Sequence, residues 1–292
     1  YASRKISQSR APMKQLPLFF LLIFTLESSA REINEVTFSY WNKPDIDVFY
    51  SIPETINANT KILFLLHGGS RTAEKYINEW LPIANDRNVV LIAPRFSAEF
   101  FPEYAYLMMS TKNGKLLKDQ SLYLNNSLGL LFDFFRFKLK LSTSTYRLYG
   151  HSGGSHFIQR YLLLSQETNI EKAAMANAGF YTFVDDQISY PFGIKNMNVS
   201  NERIEWFLRL KGGIFLGDAD NDPKHRSLPS MRKAKKQGKH RLERGTNFFN
   251  HLIELGVVSN LPFRWRYQIV DGVGHENAGM SLAASEFLLE DL

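Results

Sequence analysis

Gly150-His151-Ser152-Gly153-Gly154 lies between a short strand-like run, Tyr146-Arg147-Leu148-Tyr149, and a stretch from Ser155 to Leu164 with helical character. A G-x-S-x-G sequence in that position demands a particular backbone. The chain has to pass from strand to helix within about two residues, which strains the central serine and lifts its hydroxyl above the end of the sheet. Glycines at 150 and 154 relieve the crowding where strand and helix then cross. The dipole of the helix that follows favours negative charge close to Ser152. Taken alone, the pattern also fits a glycine-rich turn of purely structural purpose, so the rest of the chain has to decide.

Elsewhere strands and helices alternate. Glu35 to Tyr40 and Asp45 to Ile52 read as an opening hairpin joined by Asn42-Lys43-Pro44. Lys61 to Leu66 is nearly continuously apolar, as a strand covered on both faces should be. Thr72 is a candidate N-cap, with Glu74 in the first turn, for a helix whose apolar side holds Tyr76, Trp80 and Ile83. Further strands are expected at Val89 to Ala93, Lys172 to Ala178, Gly213 to Leu216 and Phe263 to Val270. Helices are expected at Asn125 to Lys140 and from about Glu276 to Leu289. The alternation predicts an α/β fold with a mostly parallel central sheet and helices on both faces. No linker interrupts it, so residues 31–292 read as one catalytic domain.

A serine hydroxyl is a poor nucleophile at neutral pH and needs a base, usually a histidine oriented by a carboxylate. Asp218, Asp220 and Asp222 follow the strand Gly213 to Leu216 directly, and Gly272-Val273-Gly274-His275 follows the strand ending near Val270. Both segments fall at C-terminal strand ends, where open α/β sheets build their sites. His67-Gly68-Gly69-Ser70 occupies the same position after Lys61 to Leu66. Its backbone could supply one N–H to a developing oxyanion and the amide of Gly153 the other. Gly69 is the expected donor in that loop and Ser70 its competitor. His67 reads as a structural hydrogen-bonding residue, Asp185 and Asp186 as loop residues, and His151, His156, His225, His240 and His251 as surface or structural.

These motifs, with Trp80-Leu81-Pro82 and Ala93-Pro94-Arg95-Phe96, resemble the α/β-hydrolase superfamily over nearly all of residues 31–292. Within it they look most like the poly(3-hydroxybutyrate) depolymerase and feruloyl esterase group. The resemblance implies an α/β-hydrolase fold and hydrolysis of a small-molecule or polymeric ester without a cofactor or metal. It also implies roles: Ser152 as nucleophile, His275 as base, and as acid Asp220, three residues past the glycine that ends its strand, ahead of Asp222 and Asp218. A peptidase or amidase using the same triad is the alternative, as is a binding protein on a hydrolase scaffold. Asn177, Tyr181 and Tyr190-Pro191-Phe192-Gly193 either line the acyl pocket or pack as ordinary loop residues.

Three bulk features bear on compartment and partners. No cysteine occurs among the 292 residues, which removes disulfides, thiolate nucleophiles and cysteine-ligated metals. Residues 1–30 read as a basic leader and signal peptide, with an apolar run from Leu16 to Leu26 and small residues Ser28 and Ala30, so a secreted or periplasmic protein is expected. That run is about 11 residues, too short for a spanning helix. Residues 223–245 carry nine Lys or Arg against Glu243 alone. They read either as a patch for an anionic surface or substrate, or as a solvated basic face. Without interleaved aromatics to stack bases, no nucleic-acid partner is expected.

Overall fold

The apolar run Lys61–Leu66 (β3) lies within a sheet of order β1-β2-β4-β3-β5-β6-β7-β8. The computed structural model describes Tyr1 and residues 31–292, so the leader and signal peptide read in residues 1–30 lie outside the described residues. Arg31–Leu292 form one compact unit. The remaining strands are Asn34–Phe38 (β1), Ile46–Ser51 (β2), Val89–Arg95 (β4), Tyr146–His151 (β5), Ile170–Ala176 (β6), Lys211–Gly217 (β7) and Arg266–Val270 (β8). The opening hairpin is antiparallel, as is the β2–β4 pair, and every pair from β4 through β3 to β8 is parallel. The chain thus has the expected α/β-hydrolase fold, a mostly parallel sheet covered on both faces.

One face is covered by Ala73–Ala84 (α1) and Asn277–Leu288 (α7), whose Ile77, Trp80, Met280, Ala284 and Phe287 pack with Leu63, Leu65 and Tyr149 of the sheet. The other carries Ser127–Leu139 (α2), Gly153–Leu164 (α3), Asn201–Arg209 (α4) and Arg241–Val258 (α6), over a core that includes Phe64, Leu148, Phe157 and Ile214. A short turn of helix, Arg232–Lys235 (α5), precedes α6. Among the described residues, no helix is long and apolar enough to cross a membrane.

Several expected boundaries move. The strand read as Lys172 to Ala178 begins and ends two residues earlier, and just past its end Asn177 adopts a left-handed backbone with φ 48°. The strand read from Phe263 starts at Arg266. Thr72 stands at the N-cap of α1 but makes no capping hydrogen bond; its hydroxyl pairs with Ser70 Oγ at 3.0 Å instead. The buried side of α1 includes Ile77, while Ile83 is only partly covered.

The N-terminal ends of β5 and β6 carry buried charges. Arg147 and Lys172 are register partners, like charges side by side and almost fully buried. Asp291, just past α7, lies between them: Oδ2 accepts from Arg147 Nη2 at 2.7 Å and Oδ1 from Lys172 Nζ at 3.0 Å. Glu171 and Glu290 complete the cluster. Burial alone would raise the Asp291 and Glu171 carboxyls, but Arg147 and Lys172 hold Asp291, and Arg147 and Lys61 hold Glu171, below their ordinary values. Asp291→Ala should therefore cost about 1 kcal/mol in urea unfolding, because the carboxylate is 44% exposed and solvent screens its pairing with the two cations. Because the folded-state values are depressed, this contribution is complete above about pH 4.5 and fades as pH falls through the folded values. The variant should accordingly lose less stability than the parent on acidification.

Candidate active site

Four loops meet at the C-terminal ends of β3, β5, β7 and β8. At the end of β5 the chain makes the strained turn: Ser152 sits at φ 55°, ψ −112°, and α3 begins at the next residue. Close approach makes glycine necessary around it. A Cβ at Gly150 would lie 2.5 Å from the Gly154 carbonyl carbon, and one at Gly154 would lie 1.9 Å from Leu66 O. The Ser152 amide donates to Ala176 O at 2.9 Å, and the Ser155 hydroxyl ties the turn to Gly150 O and Ala176 O.

The structure brings the three expected side chains into one chain of hydrogen bonds. His275 Nε2 lies 3.1 Å from Ser152 Oγ, and His275 Nδ1 lies 2.7 Å from Asp220 Oδ2. With Nδ1–H donated to the carboxylate, Nε2 presents its lone pair to the serine hydroxyl. Of the three candidate carboxylates Asp220 makes this contact. Asp222 is exposed and accepts from the Lys224 amide within its own loop. Asp220 is buried, which alone would raise its carboxyl. The hydrogen bond and charge of His275, together with Arg241, outweigh burial and hold it below its ordinary value. Asn177 braces the two loops: its Oδ1 accepts from Gly217 N and its Nδ2 donates to Gly274 O, each at 2.9 Å.

The Gly68-Gly69 turn lies against α3, so close that a Cβ at Gly153 would be 3.0 Å from Gly69 N. Gly153 opens the helix, where amides have no intrahelical acceptor. Among the described residues no backbone acceptor takes the Gly69 N–H. Two free N–H groups thus stand side by side next to Ser152. Tyr76 steadies the turn: its hydroxyl accepts from Gly68 N at 2.9 Å and lies 3.2 Å from His151 Nδ1. His67 points away from the site; its Nε2 accepts from Phe96 N at 3.1 Å and its ring lies against Tyr104. Burial pushes His67 down to about 3, so it is neutral, in keeping with a structural role.

A cleft of about 500 Å³ opens over Ser152, with Lys75, Tyr106, His156, Pro229, Glu276 and Asn277 among its walls. Asn177 and Tyr181 do not line it. Both are fully buried, Asn177 in the brace described above and Tyr181 stacked on Phe248 at 4.6 Å. Nor does Phe192, which faces a separate cavity of about 410 Å³. Sequence reasoning missed the company of His275: the ring of His151 is 4.8 Å away and that of His225 5.3 Å. Burial first, and the His275 charge second, push His151 down to about 3, so it stands uncharged beside the His275 ring. Also missed was Arg241, whose Nη1 donates to Asp220 Oδ1 at 3.0 Å. Among the described residues no group of three or more His, Asp or Glu is placed to share a metal ion.

No protein-family model matches the chain, and no curated protein matches it in sequence. Solved structures do. Poly(aspartic acid) hydrolase-1 from Sphingomonas sp. KT-1 is 30% identical, with 89% of this chain and 98% of that chain covered and a TM-score of 0.83. A poly(3-hydroxybutyrate) depolymerase from Bordetella parapertussis superposes at a TM-score of 0.81 with 22% identity, over 90% of each chain. A ferulic acid esterase from Anaeromyces mucronatus shares the fold at a TM-score of 0.54, with 14% identity over 89% of this chain and 90% of that one. The chain belongs with the poly(aspartic acid) hydrolase to the α/β-hydrolase superfamily and is a hydrolase.

Proposed function

We propose that the protein is a serine hydrolase of carboxylic esters that works through a covalent acyl-enzyme. The observation that carries this reading is the unbroken hydrogen-bond chain from Ser152 through His275 to Asp220. Ser152 Oγ attacks the carbonyl carbon while His275 Nε2 takes its proton, and Asp220 stabilises the imidazolium. The amides of Gly69 and Gly153 receive the oxyanion, a contribution of about 10²- to 10³-fold per donor. The imidazolium protonates the leaving alcohol, and water, activated by the same histidine, releases the acid. Export belongs to the same proposal and rests on the leader pattern in residues 13–30.

A second reading, cleavage of amides by the same groups, is favoured by the relative named for poly(aspartic acid). Such a polymer carries a carboxylate on every unit. Lys75 at the cleft and the cations of residues 223–245 would suit an anionic chain of that kind. A fluorophosphonate probe tests both readings at once. The folded protein should gain one adduct on the peptide containing Ser152, and a folded protein that stays unlabelled overturns the serine mechanism. Matched ester and anilide substrates with neutral and carboxylate-bearing acyl groups then separate the two.

A further inference from the structure

The basic segment does not behave as a uniform charged face. Lys224, Arg226, Lys233, Lys235, Lys236 and Lys239 are exposed, whereas Arg241 and Arg244 are each 1% exposed. The two buried guanidiniums are used differently. Arg244 is satisfied by the carbonyls of Gly238, Gly179 and Pro229 at 2.9, 2.6 and 3.0 Å, a bracket that holds the loop. Arg241 instead forks between Asp220 Oδ1 at 3.0 Å and Ser227 Oγ at 2.9 Å. Asp220 therefore divides its two oxygens, one to Arg241 and one to His275.

That division matters because the Asp220 side chain is 2% exposed. A carboxyl so far from water tends to keep its proton, and a neutral acid cannot stabilise an imidazolium. The guanidinium keeps it ionised and, by fixing Oδ1, aims Oδ2 at Nδ1. A buried ion pair is weak ground for stability, since an apolar pair of similar volume often serves as well or better. The charged groups around His275 leave this role to Arg241. His151 is uncharged, the ring of His225 lies across the loop, Glu276 is the next residue in the chain, and Lys75 is an exposed side chain on α1.

We propose that Arg241 is a positioning residue for the hydrolase reaction, holding Asp220 ionised and aimed at His275. The proposal rests on the Ser152-His275-Asp220 reading. Its test is the pH dependence of kcat/KM, and of fluorophosphonate labelling, for the parent, Arg241→Met and Arg241→Lys. Loss of the cation favours a proton on Asp220, so Arg241→Met should move the acid limb to higher pH by about one unit. It should also lower kcat by about tenfold or more with little change in KM. Arg241→Lys, which keeps the charge, should hold the limb near the parental pH and recover part of kcat.

Identical limbs in the parent and Arg241→Met overturn the proposal, as do identical limbs in the Met and Lys variants. Should Arg241→Met not fold, Ser227→Ala, which frees one arm of the fork, carries the test alongside Arg241→Lys. A drop of a few-fold in kcat in both supports positioning, and no change in both overturns it. A parent protein that labels at Ser152 while the limb stays fixed refutes Arg241 alone. A parent protein that does not label refutes the triad and this inference with it.

Discussion

Ser152→Ala should fold as the parent does and turn over a p-nitrophenyl ester roughly 10⁵- to 10⁶-fold more slowly, the loss seen when the nucleophile of a triad is removed. The hydroxyl faces the cleft and is partly exposed, so its removal should shift stability by under about 1 kcal/mol. Separating activity from stability in this way is what distinguishes a reacting group from a packing one. Retention of more than about one hundredth of parental turnover in the variant would take Ser152 out of the chemistry.

Gly154→Ala should do the opposite and act through the fold. The added Cβ would stand 1.9 Å from Leu66 O and 2.7 Å from Leu66 C, backbone atoms at the end of β3 that cannot swing aside. The crossing of α3 over the sheet must open, at a cost of about 3 kcal/mol or more. Opening it also moves the Gly68-Gly69 turn, so activity should fall by about 10²-fold or more as an oxyanion donor is displaced. Gly69→Ala is the matched control: nothing lies within 4 Å of its Cβ and its φ is not positive, so stability should be nearly unchanged. Urea unfolding with ester turnover on the same samples reads both effects. Equal stabilities for the two alanine variants would refute the packing account.

Much of this was legible from local pattern. A strand buried on both faces advertises itself as an unbroken apolar run, as in β3, and a tight strand-to-helix turn requires its glycines in sequence. Ser152, Asp220 and His275 each stand next to such a strand end, so their convergence followed from the sheet. What stayed hidden depends on contacts distant in sequence. Arg241 read as one more cation in a charged run, because its partner Asp220 lies across a loop that carries no sign of its path. His151 and His225 gave no strand-end signal for a base, and their approach to His275 arises only when four loops converge. Asn177 read as either a pocket residue or an ordinary loop residue from its position after β6. Its left-handed backbone turns the side chain across the strand ends, where it satisfies two backbone groups.

The fork from Arg241 to Asp220 and Ser227 also bears on how this family member can diversify. Residues 221–226 leave the acid and return to the second anchor, and all but His225, which is half-buried, are exposed. With both ends pinned, the excursion can change in length or composition without displacing the carboxylate, and each doubling of its length costs only about 0.6 kcal/mol in closure entropy. The exposed excursion between the two anchors is therefore a replaceable module beside His275, whose ring lies 5.3 Å from that of His225. Grafting a different loop between Asp220 and Ser227 should leave the contact between Asp220 and His275 in place.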